Sequence, residues 1–264
     1  MTSLEKEKKE KQEKDSINKY YCDKCKDTGW ILTLDINTGE ITTKRCDCHE
    51  LYLKQKKAAR LQMPKEFEGI RLVDFKTDIY KNESKYMSEV KKAIKRYLRA
   101  FKKYHKNGKG IFMHSKAKGS GKTYMMAIIG NELVNAGYSV RFAKTHDILN
   151  LIKSTYSKDS KGDEESVLKQ IVSIDVLLID DIGTERATEW VNEQFNYIID
   201  KRMIAKKVTL FTSNCCVDDL KLDPRIVNRI NKMALPIRFP EISIRNEMSK
   251  HENGEMMNEL FKEE

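Results

Sequence analysis

The stretch "HSKAKGSGKT", residues 114–123, ends in the second half of the phosphate-binding pattern G-x-x-x-x-G-K-[ST]. Each residue type has a chemical reason to be there. Gly119 and Gly121, on either side of Ser120, let backbone N–H groups turn inward around phosphate oxygens at the start of a helix, where the helix dipole favours negative charge. Lys122 would reach the β- and γ-phosphates of ATP, and the Thr123 hydroxyl would bind Mg2+. Lys116 occupies the first glycine position of the pattern. A side chain there reshapes the entrance of the loop but removes neither the cation nor the metal ligand.

Downstream, "DVLLIDDIG" is an apolar strand ending in Asp180 and Asp181. Two carboxylates at the end of a buried strand are costly unless they meet cations. Asp180 would hold Mg2+ and Asp181 would orient or deprotonate water. An N-cap pair for a following helix is the other reading, and the phosphate loop one strand–helix unit upstream argues against it. A third strand, "VTLFTSN", ends in Asn214, which should lie beside Asp180 at the carboxyl edge of the sheet, where open α/β sheets bind ligands.

The cysteines suggest a second kind of chemistry. Cys22-x2-Cys25, a spacer of twenty residues, and Cys46-x-Cys48 come close to the spacing of a structural Zn2+ site, with thiolates on two turns that flank a hairpin. The second pair is C-x-C, so His49 competes with Cys48 as the fourth ligand. A closed four-ligand site has no open position and would be structural. The adjacent Cys215 and Cys216 have no second pair of ligands near them and read as structural thiols.

The elements that must position these groups follow from periodicity. From residue 110 onward, short apolar strands ("GIFMH", "YSVRFA", "DVLLID", "VTLFTS", "LPIRF") alternate with helical stretches near 122–136, 145–156, 187–204 and 217–232. Such alternation predicts an α/β domain with a central parallel five-stranded sheet between helices. The polar stretch "SKDSKGDEES" reads as a surface loop interrupting it. Before the sheet, Val90, Ile94, Leu98 and Phe101 fall at helical spacing on an otherwise basic helix. "GWILTLDINTGEITTKR" reads as a β-hairpin turning at Asn37-Thr38-Gly39. The expected organisation is a disordered tail over 1–18, a zinc-binding hairpin module over 19–62 that ends in a polar helix, a linker over 63–89 with Pro64 as a breaker, and the ATP-binding domain over 90–264.

Composition narrows the function classes. A net charge of +10 and 34% charged residues suit contact with a polyanion such as nucleic acid, or simply a solvated surface. No apolar run reaches the roughly 18 residues a membrane span needs, and the Lys/Glu-rich start lacks the apolar stretch of a secretory signal. The expectation is a cytoplasmic protein with no membrane partner.

Taken in order, the phosphate loop, "LLIDDIGTE", "FTSN", "RIVNRI" and the late "SIR" resemble the AAA+ ATPases of the DnaC/DnaI helicase-loader group, which are related to the IstB transposition helpers. The cysteine-bearing N-terminus looks like the zinc module of the DnaI branch. The resemblance implies an AAA+ P-loop ATPase with a reduced C-terminal lid, and it assigns roles at matching positions. Lys122 and Thr123 would be Walker A, Asp180 and Asp181 Walker B, and Asn214 the sensor that positions the attacking water. Arg229 would be the arginine finger completing a neighbouring subunit's site, with Arg225 as its competitor, and Arg245 the second sensor on the γ-phosphate. It further implies slow ATP hydrolysis used as a switch, docking of the zinc module on the hexameric replicative DNA helicase, single-stranded DNA held on the basic surface, and nucleotide-dependent self-association. Two other readings fit parts of the pattern: an IstB-type transposition helper, and a non-hydrolysing adaptor that binds through the zinc module.

Overall fold

The computed structural model describes residues 24–25, 28, 30–34, 41–46, 63–156 and 163–261. The chain divides into two compact units, Met1–Lys56 and Lys57–Glu264. The expected tail over 1–18, the polar helix before residue 62, the hairpin turn at Asn37-Thr38-Gly39, and Cys22, Cys48 and His49 all lie outside the described residues.

In the first unit, β1 (Trp30–Leu34) pairs antiparallel with β2 (Ile41–Arg45), Trp30 opposite Arg45. Thr33 and Thr42 bond across the pair at 2.8 Å. Large side chains on this hairpin, Leu32 and Ile41, stay exposed, yet Cys25 and Cys46, which flank its open end, are both buried.

The second unit holds five parallel strands in the order β4-β5-β6-β3-β7. They are β3 (Gly110–His114), β4 (Val140–Lys144), β5 (Val176–Asp180), β6 (Val208–Ser213) and β7 (Ala234–Arg238). All five apolar runs picked out by periodicity form strands of this sheet. Side chains alternate between its faces, as the pleat requires. Ile111, Met113, Leu178 and Leu210 join one core, while Phe112, Leu177, Ile179 and Phe211 join the other.

The first core is covered by α1 (Ser84–Arg99), α2 (Phe101–Lys106) and α3 (Lys122–Asn135). Helix α3 buries Met125, Met126, Ile128, Ile129 and Leu133. Apolar contact on nearly every side marks it as sandwiched between other elements. The second core is covered by α4 (Thr145–Ser154), α5 (Asp163–Ser173), α6 (Glu189–Ile204) and α7 (Pro224–Met233). Helix α8 (Ile244–Leu260) follows β7.

Three expectations need correcting. Only part of "SKDSKGDEES" can be loop, because α5 begins at Asp163; Leu168 and Ile171, three apart, bury into the second core and hold the helix. The helix expected over 217–232 is broken into a 3-10 turn at Val217–Asp219 and α7, whose start is set by Pro224 and by Asp223 accepting the Arg225 N–H at 2.8 Å. Helix α1 starts at Ser84, earlier than periodicity suggested, because Met87 also belongs to the buried stripe.

Residues 63–83, read from the sequence as linker, form 3-10 turns at Lys65–Phe67, Leu72–Asp74 and Asp78–Glu83. Leu72, Phe75 and Tyr80 are buried in the first core. The Asn131 amide on α3 donates to the carbonyls of Phe67 (2.8 Å) and Ile70 (3.1 Å), so the segment is fastened to the helix behind the phosphate loop.

Candidate nucleotide-binding site

The loop between β3 and α3 carries the predicted phosphate-binding residues at the carboxyl edge of the sheet. Gly119 and Gly121 both have positive φ, at 74° and 90°. That backbone favours glycine, and space demands it as well. A Cβ on Gly121 would come within 2.4 Å of the Tyr80 hydroxyl, and one on Gly119 within 3.0 Å of Ser243 Oγ and of the Arg245 Cβ.

Lys122, the first residue of α3, is only 5% exposed. Its Nζ folds back to donate to the carbonyls of Ser115 (3.2 Å) and Ala117 (3.1 Å) and to Ser120 Oγ (3.2 Å). Burial holds its amine below the usual lysine range, while Asp181, Glu241 and Asp180 pull the other way.

Thr123 donates its hydroxyl to Asp180 Oδ1 at 2.8 Å, joining the two halves of the expected Mg2+ site. Asp180, 2% exposed, also accepts from Thr212 Oγ1 at 2.6 Å. Burial raises its pKa and Asp181 adds to that, against the hydroxyls of Thr212 and Thr123 and the charge of Lys144. Asp181 has left-handed backbone, φ 57°, which aspartate tolerates better than most residues. The bond from its N–H to Thr212 Oγ1 (2.9 Å) fixes this turn. Thr212 therefore holds both acids, and Thr145 donates to the Asp180 carbonyl at 3.0 Å from the other side. Asn214 is the first residue after β6, half-buried, at the carboxyl end of the strand beside β5.

The entrance of the loop is held from the segment after β7. Glu241 accepts the N–H groups of Lys116 (3.1 Å) and Ala117 (2.8 Å) and the Ser115 hydroxyl (3.3 Å). Burial pushes its carboxyl up, but these donors and the charge of Lys116 outweigh it and leave the pKa lowered. Further along, the Arg245 N–H donates to the Gly119 carbonyl at 3.2 Å, so the root of α8 lies on the loop. On the other side, the Tyr80 hydroxyl donates to the buried Ser120 carbonyl at 2.9 Å.

The structure thus brings together Gly119, Ser120, Gly121, Lys122, Thr123, Asp180, Asp181 and the backbone of Arg245. Arg229 has its bonds elsewhere: to Asp200 Oδ1 (2.9 Å) and Asn196 Oδ1 (2.9 Å) on α6, and to the Arg225 carbonyl (3.3 Å). Arg225 is exposed and pairs with Asp223 at 2.8 Å. Sequence reasoning missed Thr212, Tyr80 and Glu241. Thr212 had a signal, since a hydroxyl inside an apolar strand needs a partner. Tyr80 and Glu241 are residues distant in the chain that no local pattern marks.

Among the described residues no three His, Cys, Asp or Glu side chains group as a metal site. Only Cys25 and Cys46 of the expected zinc ligands fall within them, and both are buried.

A parallel five-stranded sheet with a glycine-hinged loop between β3 and α3, and paired acids at the carboxyl end of β5, defines a P-loop ATP-binding domain. Comparison with known proteins narrows the class. Residues 37–223 match the family model described as IstB-like ATP binding protein, and the chain belongs to that family. It is 30% identical over 185 residues to the replicative helicase loader DnaC of Buchnera aphidicola subsp. Acyrthosiphon pisum, which covers 69% of this chain and 74% of that protein. It is 31% identical over 147 residues to the replicative helicase loader DnaI of Bacillus subtilis, covering 50% of this chain and 46% of that one. Among solved structures, the DnaC helicase loader superposes with a TM-score of 0.57 at 23% identity, over 67% of this chain and all (100%) of that one.

Proposed function

We propose that this chain is an ATP-dependent loader of the replicative DNA helicase onto single-stranded DNA, acting in the cytoplasm at replication initiation. The observation that carries the reading is the junction of the phosphate-loop hydroxyl with the buried acid, Thr123 Oγ1 to Asp180 Oδ1 at 2.8 Å, in a chain whose relatives are named replicative helicase loaders.

In this reading Lys122 exchanges its loop carbonyls for the β- and γ-phosphates, while N–H groups of residues 119–123 wrap the phosphate oxygens. Thr123 and Asp180 have the oxygen donors that suit Mg2+, and the ion would supply charge neutralisation between the phosphates when bound. Asp181 takes a proton from, or orients, the attacking water, with Asn214 steadying that water from β6. Arg245 is well rooted to reach a γ-phosphate, since its backbone already lies on Gly119. Arg229, or the more exposed Arg225, would complete a neighbouring copy's site in a nucleotide-dependent assembly. Hydrolysis would be slow, its product a change of state.

The hairpin unit would be a zinc module that docks on the helicase. Burial of Cys25 and Cys46 at the open end of an otherwise exposed hairpin supports this, with Cys22 and Cys48, or His49, completing four ligands.

Native mass spectrometry of the full chain with its host's hexameric replicative helicase tests the reading. The expected result is a complex that depends on ATP and Mg2+, carries one zinc per copy, and loses its nucleotide dependence in Lys122→Ala. No complex under any condition would end the loader reading and move attention to a transposase as partner.

A further inference from the structure

The strongest unassigned feature is electrostatic. Residues 84–109 contain ten Lys or Arg against the single acid Glu89, a net +9 in a chain whose total is +10. Nearly all of the protein's formal charge imbalance is therefore concentrated on α1, α2 and the turn that follows.

The helix geometry arranges this charge. Met87, Val90, Ile94, Tyr97 and Phe101 recur every three or four residues and are buried in the first core. Lys85, Lys92, Arg96, Arg99, Lys103 and Lys106 recur by three, four or seven and are exposed, with Lys95 and Lys102 beside them. One periodicity buries the apolar face and the other forms a cationic row on the opposite face. The row runs for roughly 35 Å at 1.5 Å per residue.

The row is also largely unpaired. Lys92 bonds Glu89 at 2.7 Å, Lys91 is turned inward onto the carbonyls of Val73 and Phe75, and Lys109 caps the Lys232 carbonyl. Lys85, Lys95, Arg96, Arg99, Lys102, Lys103 and Lys106 form no salt bridge among the described residues. Like charges three and four positions apart repel and lower helix stability. A helix that keeps such a row has its buried stripe to hold it, and the row is available to an external polyanion.

We propose that this face of α1 and α2 is the track for the phosphate backbone of single-stranded DNA. The proposal rests on the reading above that the protein works on such DNA. A single line of cations matches the phosphates of one strand, as in grooves that track a single-stranded backbone. Lysine predominates, and past Tyr86 no large apolar side chain on α1 or α2 is exposed. Protein–protein interfaces are depleted in lysine and enriched in aromatic residues and methionine, so an acidic protein face is the poorer match. The track is also physically joined to the nucleotide loop, because Tyr80, just ahead of α1, donates to Ser120.

The test is fluorescence anisotropy of a labelled oligo-dT with the full chain across a KCl series, comparing the wild type with a variant carrying Arg96→Gln, Arg99→Gln, Lys102→Gln and Lys103→Gln. Each lost phosphate contact on a single strand flattens the slope of log K against log salt by about 0.7, so the variant should lose about 3 from that slope and bind at least about tenfold more weakly at moderate salt. A charge-matched control (Lys65→Gln, Lys76→Gln, Lys201→Gln, Lys221→Gln) should keep nearly the wild-type slope. If the fourfold variant fails to fold, Arg96→Gln or Lys103→Gln alone should each shift the slope by about 0.7.

Wild-type slope and affinity in the variant would overturn the track while leaving the loader reading intact. So would loss of helicase capture with oligo-dT binding unchanged, which would assign the face to a protein. A wild type that grips duplex more tightly than oligo-dT, through these same residues, would overturn the single-strand assignment. A wild type that binds no DNA at all would overturn both the track and the DNA half of the proposed function.

Discussion

At the scale of single residues, the site's most informative group is Asp180. The fold keeps a carboxylate buried because two hydroxyls, Thr123 and Thr212, donate to it, yet burial still raises its pKa. A carboxyl whose folded pKa lies above its unfolded value is more compatible with the fold when protonated. Its contribution to stability is therefore greatest at low pH and is lost as pH rises through the folded pKa. Asp180→Asn, which keeps an acceptor and removes the charge, should raise the ligand-free Tm by about 2–4 °C, equivalent to about 1 kcal/mol. The same change should abolish the Mg2+-dependent part of ATP binding. Calorimetric melts and titrations with and without Mg2+ measure both effects. In the wild type, Mg2+-dependent ATP affinity should weaken on acidification at a pH above the ordinary aspartate range, because the ion needs the ionised form.

Glu241 explains how the loop tolerates Lys116. The carboxylate collects the N–H groups of Lys116 and Ala117 and carries the opposite charge to Lys116. Lys116→Gly should therefore leave ATP affinity within about threefold of wild type, since the backbone donors survive. Glu241→Ala should weaken ATP binding at least about tenfold by freeing the entrance and leaving these donors without their acceptor. An affinity unchanged in Glu241→Ala would show that the entrance does not shape the site. At this scale the sequence revealed the phosphate loop and both acids, because their types are set by phosphate and metal chemistry. It hid Glu241 and Tyr80, whose importance comes from contacts 124 and 40 residues away in the chain, respectively.

At the scale of elements, alternation of strand and helix was legible because burial on both faces makes each strand a short continuous apolar run. Two of the three corrections to element placement come from weak periodicity. The start of α5 is polar, so the helix is held by tertiary contacts of Leu168 and Ile171 in the second core, while in the mixed stretch after Val217 the break is set locally by Asp223 and Pro224. Helix α1 shows how element stability and charge trade off. Its buried residues must outweigh the repulsion along its basic face. Ile94, only 1% exposed, should therefore cost about 2–5 kcal/mol when changed to Ala, read as a loss of thermal or urea stability.

At the scale of the molecule, two units share one chain, and their stabilities have different sources. The larger has two apolar cores on either side of a sheet. The smaller has an exposed hairpin with two buried thiols. If zinc holds the hairpin unit, a strong chelator should unfold that unit, seen as new protease sensitivity before residue 57, and leave ATP affinity of the remainder unchanged. No helix among the described residues is long and apolar enough to cross a membrane.

Lys122 ties the loop's own stability to its chemistry. Its ammonium is satisfied within the loop by Ser115, Ala117 and Ser120. Each of these three bonds must be exchanged if the ammonium is to reach a phosphate. Thermostability and nucleotide affinity therefore compete for the same ammonium group. Selection for a more heat-resistant version of this protein, if it acted through these bonds, would yield weaker ATP binders, and selection for tighter binding would yield a looser loop.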